Sequence, residues 1–129
     1  MGHTGNSPYK SRGGPRRIWR AFHYSVAGFA AAFRQEAAFR QLLLLALILL
    51  PVAAVLPVSR LERAVLVASV LLSLIIELLN SAIEAAVDRT SLDTHPLAKQ
   101  AKDMGSAAQM LGLVNIAVVW GIILIAPSA

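Results

Sequence analysis

The sequence predicts an all-α membrane protein with three transmembrane helices and an N-terminal amphipathic surface helix. Apolar residues make up 57% of its 129 residues, a larger share than soluble domains carry. These residues are concentrated in three long runs separated by polar links. The chain contains no cysteine, which excludes disulfides and thiolate chemistry. Its length allows one domain, which we place at residues 15–126.

The surface helix is predicted over about residues 15–38. It follows residues 1–14, a segment rich in Gly and Ser that we expect to be a disordered tail. Pro15 is suited to the first helical turn. Apolar residues then recur every three or four positions, with arginines among the positions between them. This pattern predicts an amphipathic helix that lies at the membrane surface.

Three spans follow, predicted over about residues 42–58, 61–87 and 100–126. The first, LLLLALILLPVAAVLPV, is close to the shortest helix that crosses the hydrocarbon core. We expect Pro51 to kink this span and Pro57 to mark its end. Pro96 is expected to open the helix that contains the third span.

The distribution of basic residues predicts the orientation. Seven Lys and Arg residues precede the first span, three lie between the second and third spans, and two flank the first link. The positive-inside rule therefore places the N-terminus in the cytoplasm and the C-terminus outside. No nucleic-acid-reading module is recognisable, so the basic residues predict an anionic membrane surface as the partner.

Polar residues form a stripe in the segment IIELLNSAIEAAVDR, residues 75–89. On an ideal helix, Asn80, Glu84 and Asp88 lie at about −60°, −20° and +20° from Glu77. Carboxylates at membrane depth are costly, and they usually mark function. A hydrogen-bond network that only joins helices is the alternative interpretation of the stripe.

Spacing separates the possible roles of the carboxylates. Glu77 and Glu84 are about 10.5 Å apart along the helix axis, so one small metal ion cannot bind both. We expect one to bind metal at the interface and the other to act deeper, where burial makes a carboxylate a stronger base. Glu36, before the first span, is the natural second metal ligand, although it could instead pair with Arg40 at i+4.

A second polar concentration is AKQAKDMGSAAQ, residues 98–109. Lys102 offers a cation for phosphate, and the neighbouring Asp103 offers an acceptor for a nucleotide. A lysine near a membrane interface could also be only a snorkelling anchor. The sequence contains no Walker A motif and no kinase Gly-rich loop, so a phosphoryl transfer would need another architecture.

Three segments in this order, EAAFRQ, ELLNSAIEAAVDR and AKDMGSAA, resemble the small bacterial integral-membrane diacylglycerol kinases. The resemblance covers about residues 16–125. It implies a homotrimer of three-span subunits in the bacterial inner membrane. It also implies an enzyme that uses Mg²⁺ and ATP to phosphorylate diacylglycerol to phosphatidic acid by direct in-line transfer.

The resemblance also implies roles for individual residues. Glu77 would be the general base, with Asn80 orienting the site, and Glu36 and Glu84 would bind the metal. The ATP-binding residues would be these two glutamates together with Arg17, Tyr24, His95, Lys102 and Asp103. The lipid contacts would be Arg17, Ala38, Phe39, Arg40, Gln41, Glu77, Ser106 and Trp120. Asp93 falls in the same loop as His95. Without the resemblance, that histidine would be interpreted as solvated and Trp120 as an interfacial belt residue.

Three alternatives remain open at this level. An undecaprenol kinase would share the fold and the core motif but act on a polyprenol. A small proton-coupled transporter would use intramembrane carboxylates as a relay, without ATP consumption and without a need for Lys102 or Glu36. A helical assembly protein held together by the polar stripe would have no enzymatic activity.

Overall fold

The computed structural model describes residues 14–90 and 95–125, which fold into four helices. They are α1 Pro15–Gln35, α2 Ala37–Val55, α3 Arg60–Thr90 and α4 Pro96–Ile125. The last three have 19, 31 and 30 residues and are long and apolar enough to cross a membrane. The prediction of an all-α fold with three membrane spans after an N-terminal helix is confirmed for the described residues. Residues 1–13 of the predicted tail lie outside them.

Several helix ends differ from the predicted ones. The first helix ends at Gln35 rather than near residue 38, because Glu36 has an extended backbone with φ −116° and ψ 108°. Helix α2 continues through Pro51 to Val55, and Pro57 follows its end. Helices α3 and α4 both extend past their apolar runs toward the loop between them, and α4 begins at Pro96, as the proline predicted. Hydropathy locates the bilayer-spanning part of a helix, whereas backbone hydrogen bonds continue into its polar ends.

Arginine side chains close both short turns between helices. Arg40 Nη1 donates to Phe33 O at 2.7 Å and to Arg34 O at 3.3 Å, which are carbonyls of the last turn of α1. Arg63 Nη1 donates to the carbonyls of Ala53 and Ala54 at the end of α2, at 2.5 and 2.7 Å. The last carbonyls of a helix have no partner within it, so these bonds satisfy them.

A capping box begins α3. Glu62 N donates to Ser59 Oγ at 3.1 Å, and Ser59 N donates to Glu62 Oε1 at 3.1 Å. Two backbone donors at the helix start are thereby satisfied reciprocally. The start of the longest helix is therefore well defined, which in turn sets the position of the polar stripe along it.

The core lies between α2, α3 and α4, with α3 in the centre. Helix α3 packs most extensively on α4 and then on α2, while α1 touches α2 and α3. The buried cluster consists of Ala46, Ala53, Leu66, Val70, Ile116, Trp120 and Ile123. Large apolar side chains such as Leu44, Ile48 and Leu79 face outward. Outward apolar faces on helices of this length suit a lipid environment.

Candidate active site

An open cleft of about 560 Å³ lies between the second half of α1 and the second half of α3. Its polar lining comes from Ser25, Gln35 and Glu36 on one side and from Ser81, Glu84 and Asp88 on the other. The three residues from α3 recur at helical spacing and therefore share one face. The cleft thus brings three carboxylates together at one end of the helical bundle.

Glu36 reaches the cleft because the chain bends at this residue. Its extended backbone separates α1 from α2, and its side chain makes no capping bond to α2. The predicted alternative, an ion pair between Glu36 and Arg40, is absent from the described residues. The guanidinium of Arg40 instead closes the end of α1. The Glu36 carboxylate therefore lines the cleft opposite Glu84.

Glu77 lies in the interior behind this cleft. Only 2% of its surface is exposed. It interacts electrostatically with Glu84, two turns farther along α3, and with Glu36 from the turn between α1 and α2. Ser81, one turn after Glu77, lines the cleft itself. The polar stripe therefore connects a buried carboxylate to carboxylates at an open surface, the depth difference that the sequence predicted.

Several buried polar atoms near this position have no hydrogen-bond partner in the described part of the chain. They are Ser73 Oγ, Glu77 Oε2, Asn80 Oδ1, Ser81 Oγ and Gln109 Oε1. Such atoms are rare in proteins, and each is costly to bury. Four of the five belong to α3 and one to α4. Ser73, Asn80 and Gln109 lie where these two helices approach each other, whereas Ser81 lines the cleft. This concentration is typical of a functional site rather than of a structural core.

Asn80 is held against α4 by a close approach of the two backbones. A β-carbon on Gly105 would collide with the Asn80 side-chain amide. Asn80 itself is 8% exposed. Gly105, in the segment AKDMGSAA, therefore makes room for Asn80, which lies one turn from Glu77.

Two ion pairs lie at the same end of the molecule. Lys102 Nζ lies 2.5 Å from Asp88 Oδ1, which joins α4 to α3 beside the cleft. Lys99 Nζ lies 2.7 Å from Asp103 Oδ2 within α4. His95 precedes α4, and its Nδ1 accepts a 3.2 Å hydrogen bond from Leu97 N. This histidine therefore acts as an N-cap in the structure, while Asp93 lies outside the described residues.

The remaining predicted residues do not gather at the cleft. Arg17 and Tyr24 are exposed on α1, and Ala38, Gln41 and Ser106 are exposed on their helices. Phe39 is buried, with its ring centroid 6.4 Å from that of Phe29. These positions neither support nor contradict the predicted nucleotide and lipid contacts, which stay predictions.

Trp120 is buried rather than exposed at a membrane interface. Its Nε1 donates to Ser69 Oγ at 3.1 Å, and that hydroxyl donates to Leu66 O at 2.7 Å. The indole belongs to the core cluster between α3 and α4. Trp120 is therefore buried by packing between the helices, and this position gives no support to the predicted lipid contact.

Sequence reasoning assigned no role in the site to Asp88, Ser81 or Gln109. Asp88 was recognised as part of the stripe, but its pairing with Lys102 depends on how α3 and α4 pack. Ser81 carried a usable signal, since it follows Glu77 by four residues and so shares its helix face. Gln109 carried a weaker one, a lone amide at the start of an apolar run.

The donor set suits a metal that binds together with a phosphate ligand. No group of three His, Cys, Asp or Glu side chains in residues 14–90 and 95–125 could hold a metal ion. Glu36 and Glu84 nevertheless offer carboxylate oxygens to the same cleft. Mg²⁺ commonly takes one or two carboxylates and completes its shell with substrate phosphates and water. These residues therefore fit a magnesium–nucleotide complex better than a free ion.

The fold and the site define a multi-pass helical membrane protein with an acidic cleft that opens toward a buried carboxylate. The model of the prokaryotic diacylglycerol kinase family matches residues 23–124. A Pseudomonas aeruginosa protein named diacylglycerol kinase is 62% identical over 119 residues, which cover 92% of this chain and 97% of that protein. The chain belongs to the prokaryotic diacylglycerol kinase family.

More distant relatives agree. A diacylglycerol kinase from Helicobacter pylori strain J99 is 45% identical over 114 residues, which cover 88% of each chain. A diacylglycerol kinase from Escherichia coli K12 is 44% identical over 108 residues, or 84% of this chain and 88% of that protein. The family match to residues 23–124 includes the cleft, the polar stripe and nearly all of the three candidate membrane spans.

Proposed function

We propose that this chain is a diacylglycerol kinase that transfers the γ-phosphoryl group of ATP to the free hydroxyl of diacylglycerol, forming phosphatidic acid. Family membership supports the reaction and its lipid substrate. One observation supports the location of the chemistry. A fully buried carboxylate, Glu77, has an oxygen without a partner directly behind a cleft lined by Glu36 and Glu84.

In this proposal Glu77 is the general base. It accepts the proton of the lipid hydroxyl as that oxygen bonds to the γ-phosphorus and the bond from phosphorus to the leaving oxygen of ADP breaks. Burial suits this role because a carboxylate shielded from water is a stronger base. Asn80, one turn along, orients the reacting groups from its position against Gly105. The apolar surroundings admit a lipid and exclude competing water.

Glu36 and Glu84 are proposed to hold Mg²⁺ with the nucleotide phosphates. Mg²⁺ held there would supply positive charge that offsets the charge of the nucleotide phosphates. Lys102 would add a second positive charge for the phosphates after exchanging its contact with Asp88. We further propose Asp103, His95, Arg17 and Tyr24 for the nucleotide. Ala38, Phe39, Arg40, Gln41, Ser106 and Trp120 are proposed for the lipid.

The cellular setting follows the same reasoning. The excess of Lys and Arg before the first span and between the last two spans supports a cytoplasmic N-terminus in a bacterial inner membrane. The cleft then faces the compartment that contains ATP. Assembly as a homotrimer rests on the family resemblance. It would also help to enclose a polar stripe that one set of three short spans can wall off only in part.

A direct assay tests the reaction. Purified protein in mixed micelles with Mg²⁺ and ATP is offered diacylglycerol or undecaprenol in separate reactions. We expect phosphatidic acid and ADP in equal amounts from the first reaction and little product from the second. Phosphorylation of undecaprenol alone would replace the proposed substrate with a polyprenol. The absence of a phosphorylated lipid in both would contradict the kinase assignment and favour a transporter that needs no ATP.

A further inference from the structure

Helix α4 carries one half-buried polar side chain, Gln109, whose Oε1 is buried at about the level of the helix pair at which Glu77 lies. The two helices are antiparallel, since the residue numbers of the contacts increase along α4 as they decrease along α3. The contact pairs, in order, are Asp88 with Lys102, Asn80 with Gly105, Ser73 with Gly112, and Ser69 with Trp120. Gln109 lies between the second and third pairs, as Glu77 does on α3. The register therefore sets these two residues opposite each other.

Ser73 and Gln109 already share one small space. A β-carbon on Gly112 would lie 3.5 Å from Ser73 Oγ and 3.7 Å from Gln109 Oε1. Since Gly112 has no side chain, the two polar groups border the same gap, together with the Ile76 Cδ1 methyl at 3.2 Å from that β-carbon position. Both oxygens are buried, and neither has a hydrogen-bond partner among the described residues.

The hydroxyl of Ser73 is not used by its own helix. Three other helical hydroxyls return to a carbonyl of the preceding turn, namely Ser25 to Ala21 O, Ser69 to Leu66 O and Thr90 to Ala86 O. Serines within helices commonly bond in this way. Ser73 makes no such bond, although it is completely buried, so its proton is free for a partner on α4.

Glu77 follows Ser73 by four residues and so shares its helix face. Side chains on a helix lean toward its N-terminus, which brings a carboxylate at position 77 over the turn that contains Ser73. Glu77 Oε2 is buried without a partner. The single chain already encloses Ser73 completely, so a partner for its hydroxyl has to come from this chain itself.

We propose that Gln109 is a positioning residue for Glu77, an inference that rests on the proposed role of Glu77 as the base. The Gln109 side-chain amide donates from Nε2 to Glu77 Oε2, and the Ser73 hydroxyl donates to Gln109 Oε1. This arrangement satisfies all three partnerless groups with the donors and acceptors that each possesses. It holds the carboxylate from the side opposite the cleft and leaves its second oxygen available to the lipid hydroxyl.

Solid-state NMR of the protein in lipid bilayers tests the contact without reference to activity. The Gln109 side-chain ¹⁵N and the Glu77 carboxyl ¹³C should show a dipolar coupling that corresponds to a separation below about 4 Å. Spectra of Gln109→Leu and Glu77→Gln assign the two signals. Absence of the coupling in the wild-type protein would overturn the inference, whatever the activity of the variants.

Kinetics test the positioning role. Gln109→Leu should lower kcat roughly tenfold, because the carboxylate loses a charge-assisted hydrogen bond, while the KM values for ATP and lipid stay unchanged. Ser73→Ala should lower kcat less, and Ser73→Thr should restore it by retaining the hydroxyl. Wild-type kcat in Gln109→Leu would refute the positioning role.

Ser69→Ala is the matched control, because it removes another buried hydroxyl of α3 that bonds Trp120 instead. It should reduce stability while leaving the coupling between Gln109 and Glu77 intact, and loss of the coupling in this variant would contradict the specific contact. If the wild-type protein shows the coupling but Glu77→Gln is fully active, Glu77 is not the base, and the contact with Gln109 is still supported. The two proposals can therefore fail separately.

Discussion

Gly105 of α4 lies so close to the Asn80 side chain of α3 that there is no room for a β-carbon between them. The contact sets the separation of the two helices at the level of the candidate active site. It also limits the orientations that the asparagine can adopt. A glycine that the sequence marks only as small is therefore part of the site through packing.

Gly105→Ala should lower activity much more than it lowers stability. The added methyl group forces the Asn80 amide to turn away. We expect kcat to fall about tenfold or more, because a displaced side chain in an active site typically costs at least that much in rate. Alanine has a higher helix propensity than glycine, so the substitution should recover part of the stability that the steric clash removes. Lipid kinase assays and thermal unfolding in micelles measure the two effects.

Gly121→Ala is the control for that substitution, since nothing lies within 4 Å of a β-carbon at this position. Its activity should equal that of the wild type. Equal activity of Gly105→Ala and Gly121→Ala would exclude the Asn80 contact from the mechanism.

Glu77→Gln should reduce turnover by at least about a hundredfold, because an amide cannot accept the proton of the lipid hydroxyl. The substitution preserves shape, so the folded protein and its ATP affinity should be retained. Steady-state kinetics together with nucleotide binding distinguish these properties.

Glu62→Gln, also on α3, provides a matched carboxylate-to-amide change at the other end of the helix. Glutamine can still complete the capping box with Ser59, so activity should be unchanged. A Glu77→Gln variant as active as Glu62→Gln would remove Glu77 from the role of base.

Glu36→Gln and Glu84→Gln should each raise the Mg²⁺ concentration needed for half-maximal activity by about tenfold, because each removes one anionic oxygen ligand. Activity should recover in part at high Mg²⁺. Titration of Mg²⁺ at saturating ATP and lipid measures the shift. A variant whose Mg²⁺ requirement matches the wild type would show that its carboxylate does not hold the metal.

The ion pair between Lys102 and Asp88 should contribute little to stability. Its side chains are 43% and 62% exposed, so water screens the pair and we expect no measurable coupling in a double-mutant cycle. Lys102→Met should nevertheless weaken ATP binding, whereas Asp88→Asn should not, if the lysine exchanges its partner for phosphate. Equal losses of ATP affinity in both variants would contradict that exchange.

Trp120→Phe should destabilise the protein by about 1 kcal/mol, because the Ser69 hydroxyl loses its indole donor while the aromatic packing largely remains. Unfolding of Trp120→Phe, Ser69→Ala and the double variant checks this value. Additive losses from the two single changes would argue against an energetic contribution of the hydrogen bond.

The sequence by itself determined the number of spans, the N-terminal helix and the polar stripe of α3. These features depend on hydropathy and on the period of a single helix, which are local properties of the chain. The depth difference between Glu77 and Glu84 could be predicted for the same reason, since both residues belong to one helix.

The tertiary structure alone decided which groups from different helices meet. The bend at Glu36 brings its carboxylate to α3, the packing register pairs Lys102 with Asp88, and Trp120 is buried against Ser69 rather than exposed to lipid. Each of these contacts joins residues that lie far apart in the chain. Their meeting depends on how closely and in which register the helices pack, and here that depends on the absence of side chains at Gly105 and Gly112.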